Sequence, residues 1–251
     1  MTARSFAMAT FPVAESAAGS VPDGLLAFDT SLAALSVAVV RRRQGRLIAY
    51  EAFEARASGH AEHLMAMIGG VMDEAGLAFG EIARIAVTVG PGGFTGVRVG
   101  IAAARALALA TGRPVAGVTS LAVLAQEAFR LLPAADARGA FAVAVAARGG
   151  MVYFQIFDAG PTAASPPQHL APSDAAAALA RRRLLVVGSG ARAVGAAVAA
   201  AGGAPATALP ELLPRARSLI ALAAAAGGPV RPLYLAPHGA RPPGAGALCS
   251  P

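Results

Sequence analysis

The sequence predicts a two-domain α/β protein made of two related halves. Three observations carry that expectation. Three short apolar segments, separated by turns, lie near the start. A strand, a glycine-rich loop and an Ala-rich helix follow. The same succession, paired strands and then strand, glycine turn and helix, recurs once further on. Each half then holds a mixed sheet flanked by helices, with a cleft between the halves.

Residues 1–22 read as an unstructured leader. Residues 25–28, 35–40 and 47–53 are the strands of an antiparallel meander, turning at Asp29-Thr30-Ser31 and at the basic hairpin 41–45. Residues 59–75 form a helix with Ser58 as N-cap. Leu64, Met67, Ile68, Val71, Met72 and Ala75 recur on it at helical spacing, and Gly76 stops it. A strand within 82–89 runs into the glycine loop, and 97–111 is a helix stopped by Gly112 and Pro114. The second half begins near Val115. It has a helix capped by Thr119 or Ser120, strands at 140–146 and 151–157, a Pro-rich loop at 159–172 and a helix at 174–182. A strand at 184–187, the turn Gly188-Ser189-Gly190 and a helix at 191–201 complete it. A last helix at 215–226 precedes an extended tail. The expected division is 23–113 for the N-terminal lobe, completed by the helix in 211–227, then 114–210 for the C-terminal lobe and 228–251 for the tail.

Composition narrows the chemistry. All 21 basic residues of the 251 are Arg, so neither a Walker lysine nor a Schiff-base lysine exists. The formal charge of +7 attracts polyanions, and Arg41-Arg42-Arg43 and Arg181-Arg182-Arg183 are the clusters that stand out, neither with aromatic neighbours for base stacking. One cysteine, Cys249, allows no internal disulfide and fits a reducing cytoplasm. The positive mean hydropathy raises the membrane question. The longest uncharged run, 193–210, is broken by glycines and prolines, so a soluble protein is expected. Aromatics make up only 5% of the residues, so the core is expected to consist of Ala, Val, Leu and Ile.

The string GPGGFTGVRVG at 90–100 is the strongest motif. A strand–glycine loop–helix unit can present backbone N–H groups to a phosphate. Its spacing does not fit GxGxxG, since Thr95 holds the third position. Glycines also permit tight turns and close packing, and that reading is favoured on spacing. Asp29, Thr30 and Ser31 at their turn, and Gly188 and Gly190 at theirs, are weak candidates for a phosphate or a magnesium-bound water. His60 and His63 sit i, i+3 on a helix with no third metal ligand in evidence. His169 and His238 lie in Pro-rich segments, and no nucleophilic triad emerges.

Three segments in this order resemble the TsaB (YeaZ) family: LLAFDTSLAALSVAV at 25–39, GHAEHLMAMI at 59–68, and the glycine string with its helix. Arg148 with Val152-Tyr153, VVGSG at 186–190, LLPRA before the last helix and PLYL at 232–235 extend the resemblance to about 25–243. The chain departs from the family pattern at Ala146 and Met151, where Asp and Glu are common. The resemblance implies an actin/Hsp70/sugar-kinase-like (ribonuclease H-like) two-lobe fold. It also implies a non-catalytic, activating role in threonylcarbamoyl transfer to the adenosine 3′ of the tRNA anticodon. The implied partners are the catalytic paralogue TsaD, the ATPase TsaE and tRNA through the complex, with a homodimer in isolation and no membrane. No tightly bound cofactor is implied; ATP or ADP is placed at the subunit interface of the full complex. The implied partner face lies on the two helices flanking the glycine loop, at His60, Leu64, Met67, Ile68, Met72, Phe94, Thr95, Arg98, Gly100 and Ala104. The alternative is an ATP-dependent small-molecule kinase or acyltransferase of the same fold. It requires a second carboxylate facing Asp29, for which Asp136, Asp158 and Asp174 are available.

Overall fold

The computed structural model describes residues 7–13, 21–137, 139–179, 184–223 and 230–235. Arg181–Arg183, His238, Cys249, the tail beyond Leu235 and the last helix beyond Ala223 lie outside the described residues.

The first sheet contains β1 (Ala7–Pro12), β2 (Leu25–Asp29), β3 (Ala34–Arg43), β4 (Arg46–Ala55), β5 (Arg84–Thr88) and β6 (Val115–Val118), in the order β1-β4-β3-β2-β5-β6. The second contains β7 (Phe141–Ala146), β8 (Val152–Phe157), β9 (Gln168–Leu170), β10 (Leu185–Val187) and β11 (Thr207–Ala208), in the order β11-β10-β7-β8-β9. Leaving β1 aside, the two sheets share one topology. The first strand pairs antiparallel with the second, and the second with the third. The first also pairs parallel with the fourth, and the fourth with the fifth. The two lobes are therefore repeats of one ribonuclease H-like unit, the duplicated plan of the actin/Hsp70/sugar-kinase fold.

Helices fill the layers. On one face of the first sheet lie α1 (His60–Ala75) and α2 (Phe94–Thr111), which pack on Leu26, Phe28, Leu35, Val37 and Val39. The other face, with Leu25, Ala27, Ala38 and Val40, is covered by α6 (Ala216–Ala223). Because β2 is buried on both faces, it reads as the unbroken apolar run LLAF rather than as an alternation. In the second lobe α3 (Ser120–Leu131) covers Phe141, Val143, Val145 and Phe157, while α4 (Pro172–Leu179) and α5 (Ala191–Ala200) cover Ala142, Ala144, Val152 and Phe154. Val123 of α3 joins the cluster beneath α6, so α3 and α6 form the seam between the lobes.

Local signals set several ends. Gly76 ends α1 at φ 59°, and the Thr119 hydroxyl caps α3 by accepting from Ala122 N–H. Ser58 does not cap α1; Gly59, at φ 76°, holds that position. Two expected boundaries change. Ala7–Pro12, inside the expected leader, is a strand antiparallel to β4, because the β4 edge offers free backbone groups and Phe11 and Val13 pack on the core. Val115–Val118 belongs to the first sheet as its parallel edge, since α2 is the crossover returning the chain beside β5.

Candidate functional site

The glycine loop is packed against the turn that follows β2. Thr30 Oγ1 donates to the Gly96 carbonyl at 2.7 Å, and Gly93 N–H donates to the Ser31 carbonyl at 2.8 Å. A Cβ on Gly92 or Gly96 would fall well inside 3.0 Å of the Ser31 or Thr30 carbonyl oxygen. A Cβ on Gly100 would meet Thr30 Oγ1 at 2.5 Å. Gly92 and Gly96 serve backbone-to-backbone contact within the lobe, and Gly100 makes room for the Thr30 side chain. Gly100 therefore faces Thr30 and Val87 rather than a second helix or a partner. On the far side of the loop, Ser120 N–H donates to the Gly90 carbonyl and the Ser120 hydroxyl to that of Pro91.

Asp29, Thr30 and Ser31 are all buried. Both carboxylate oxygens of Asp29 accept from the Ser31 hydroxyl, and Oδ1 also accepts from Ser31 N–H at 2.9 Å. Burial raises the Asp29 pKa above its ordinary value, against the opposing pull of Thr88, the Ser31 donors and the charge of His60. The Thr88 hydroxyl neighbours this carboxylate without a hydrogen bond of good geometry. The Asp29 carboxyl thus presents no face to a phosphate or a hydrated metal. The second lobe repeats the arrangement. Gly190 N–H donates to the Ala144 carbonyl at 2.9 Å; a Cβ on Gly188 would fall 2.5 Å from that carbonyl oxygen of β7, and one on Gly190 would meet the Val152 side chain of β8 at 2.9 Å. Ser189 Oγ accepts from Ala146 N–H at 3.1 Å.

The seam between the lobes carries the buried charge. Glu51 of β4 accepts from Arg215 at 2.9 Å, from the Ser36 hydroxyl at 3.2 Å and from Arg217 N–H at 3.1 Å. Ser36 Oγ in turn accepts from Ala216 N–H at 2.8 Å, so β3 and β4 cap α6 from outside the helix. Glu127 of α3 accepts from the Arg217 guanidinium and the Ser218 hydroxyl. Arg217, its pKa raised chiefly by Glu127, therefore ties α6 to both lobes. A crevice of about 410 Å³ opens beside this network, lined by Phe53, Leu131, Leu212 and the two arginines. Arg215 also stacks on the Phe53 ring, 3.9 Å from its centroid.

The expected partner face divides in two. Leu64, Met67, Ile68 and Met72 are core residues beneath α1, and Ala104 is core beneath α2. His60 is buried, with Nε2 donating to the Ala34 carbonyl at 3.1 Å. With Gly100, these seven positions face inward; Phe94, Thr95 and Arg98 are exposed. The i, i+3, i+4 recurrence marked the side of α1 that meets its own sheet. The outer apolar surface comes from residues off that stripe: Met65 (49% exposed) and Ala66 on α1, with Ala102, Ala106 and Leu109 (88% exposed) on α2. By length and composition α2 qualifies as a membrane span, yet Arg98 and Arg105 interrupt it and one side packs on β5.

The remaining candidates are dispersed. Arg41 pairs with Glu81 at 2.7 Å, Arg42 donates to the Gly45 carbonyl, and Arg43 donates to the Ala75 carbonyl at the end of α1. His169 lies against the Tyr153 ring. Among the described residues no group of three His, Cys, Asp or Glu is placed to hold a metal.

Two repeated lobes, with the two described glycine turns packed on neighbouring backbone, define an actin-like α/β protein. Residues 54–200 match the family described as TsaD, tRNA N6-adenosine threonylcarbamoyltransferase. The chain is similar to the solved structure of YeaZ from Pseudomonas aeruginosa, with a TM-score of 0.66 and 32% identity, covering 85% of this chain and 100% of that one. It is also similar to two tRNA threonylcarbamoyladenosine biosynthesis proteins TsaB. That of Haemophilus influenzae is 36% identical over 130 residues, 52% of each chain. That of Escherichia coli K12 is 37% identical over 120 residues, 45% of this chain and 50% of that one. The chain belongs to the TsaD family as its TsaB/YeaZ type. It spans about half the length of the curated relatives it matches.

Proposed function

We propose that this chain is a non-catalytic, activating subunit of the complex that transfers threonylcarbamoyl to the adenosine 3′ of the tRNA anticodon. It pairs with TsaD, is contacted by TsaE and meets tRNA through the complex. The observation that carries this reading is the exposed apolar surface shared by α1 and α2, beside a glycine loop closed on its own turn. Exposed Ala102, Ala106 and Leu109 on α2, with exposed Met65 and Ala66 on the adjoining α1, suit close helix packing, and an apolar surface of this kind marks an interaction site. Without TsaD, a second copy of the chain covers the same face. The chain binds no cofactor tightly, ATP or ADP sits at the boundary between subunits, and the assembly works in the cytoplasm.

The kinase or acyltransferase alternative requires Asp29 to face a ligand. Its burial beneath Ser31 weighs against that role. Direct tRNA binding through Arg41–Arg43 is weakened at Arg41, whose charge is already paired with Glu81; Arg42 and Arg43 hold only neutral carbonyls. Reconstitution of tRNA modification from purified TsaD, TsaE and this chain tests the proposal. Omitting this chain should abolish or sharply slow modification. Modification or ATP turnover by this chain alone would overturn it.

A further inference from the structure

The segment Val230–Leu235, distant in sequence, lies across the start of α2. Leu233 N–H donates to the Val89 carbonyl at 2.7 Å, and Arg105 donates to the Val230 carbonyl at 2.6 Å. Val230 and Leu233 cover Val89, Val97 and Ile101. At the outer end, Arg98 Nε donates to the Tyr234 hydroxyl at 2.7 Å. The Phe94 and Tyr234 rings stack with centroids 5.8 Å apart, and the Arg98 guanidinium lies 3.6 Å from the Phe94 centroid. Phe94 is nevertheless 56% exposed.

This corner is continuous with the apolar surface of α2, since Phe94, Arg98, Ala102 and Leu109 follow one another at helical spacing on its exposed side. Its charge is of one sign. Neither 94–111 nor 230–235 contains an Asp or Glu, whereas Arg98, Arg105 and Arg231 are exposed. The hydrogen bonds of Arg98 and Arg105 above go to neutral oxygens, which leaves both charges unneutralised by those contacts. Aromatic residues and arginine held in fixed geometry beside an apolar patch form the kind of site that dominates protein–protein affinity. A nucleic acid fits less well, because the ring faces that would take bases are stacked on each other and on Arg98.

We propose that Phe94, Arg98 and Tyr234 form an anchoring corner of the docking surface, completed only when the strap 230–235 is in place, and that it receives an acidic side chain of the partner protein. The inference rests on the docking reading above, with the partner there being TsaD. The strap makes docking depend on the C-terminal part of the chain as well as on α1 and α2.

The test measures association of the full chain with purified TsaD for Phe94→Ala, Arg98→Ala, Arg98→Lys and Tyr234→Phe, with Leu109→Asp as reference. Phe94→Ala and Arg98→Ala should each weaken association at least about tenfold. Arg98→Lys and Tyr234→Phe should fall between these and wild type. Added salt should weaken wild type more than Arg98→Ala. Thermal midpoints and circular dichroism separate these losses from unfolding; the two milder variants keep the ring stack or the charge and guard against it. If Leu109→Asp breaks association while the corner variants bind as wild type, the corner is refuted and the docking face stands. If none of them alters association, both fail. Normal TsaD binding with loss of salt-sensitive tRNA binding would make the corner an RNA contact and overturn the proposal.

Discussion

Gly96 and Thr30 are held in direct contact through the Thr30 side chain and the closeness of their backbones. The Thr30 hydroxyl donates to the Gly96 carbonyl at 2.7 Å, and a Cβ at Gly96 would fall well inside 3.0 Å of the Thr30 carbonyl oxygen. The first turn of α2 therefore rests on the end of β2. Loop, turn and helix are packed together as one unit.

Gly96→Ala should destabilise the chain by about 3 kcal/mol or more, because backbone on both sides must move to admit the methyl group. Gly70→Ala is the contrast. A Cβ there meets nothing within 4 Å, and alanine in a helix interior should stabilise by about 0.5–1 kcal/mol. Urea denaturation of both variants checks the pair.

Asp29 supplies a pH signature. Burial raises its folded-state pKa above the ordinary 3.8. Between that value and the raised one the folded chain holds a proton that the unfolded chain has lost, so this residue's contribution to stability falls as pH rises through the window. Asp29→Asn retains an oxygen for the Ser31 donors and has no charge to desolvate. It should gain stability relative to wild type as pH rises across the window. Chemical denaturation at several pH values would show it; a difference independent of pH would contradict the assignment.

The seam depends on two carboxylates that belong to different lobes. Glu127→Ala strands the Arg217 guanidinium and the Ser218 hydroxyl at the junction of α3 and α6. It should cost about 3 kcal/mol. Glu51→Ala removes the partner of Arg215 and of Arg217 N–H. Since Arg217 contacts both glutamates, the double mutant should lose less than the sum of the single losses. Denaturation of the four proteins in the cycle measures that coupling.

Neighbouring methionines of α1 should behave oppositely. Met67 is fully buried, and Met67→Glu should prevent folding at ordinary temperatures by leaving an unpaired charge in the core. Met65 is 49% exposed, so Met65→Glu should change stability by less than about 0.5 kcal/mol while weakening association with TsaD. Thermal melts and a binding titration on the same preparations distinguish the two effects.

The strands and helices of both lobes were largely legible, because apolar runs and helical spacing report burial directly. The apolar run at 25–28 announced a strand, and Gly76 announced the end of α1. The strand Ala7–Pro12 and the short β9 and β11 were missed. Their pairing depends on a distant sheet edge rather than on their own residues. The proposed docking face was only partly legible. Helical spacing identified Leu64, Met67, Ile68 and Met72 as one face, and the structure makes that face core. Met65 and Leu109 lie off that stripe, where helical spacing carries no signal. The ties between Glu51 and Arg215 and between Arg98 and Tyr234 span 164 and 136 residues, beyond the reach of any local pattern.

The most direct measurement titrates this chain into a fixed mixture of TsaD, TsaE, tRNA and the substrates for threonylcarbamoyl transfer, and follows the modified adenosine. With wild type, modification should rise from near zero and saturate. With Leu109→Asp, equally stable, the curve should shift to much higher concentration. Modification independent of this chain, or identical curves for the two proteins, would contradict the assignment of a docking subunit that works through the outer face of α1 and α2.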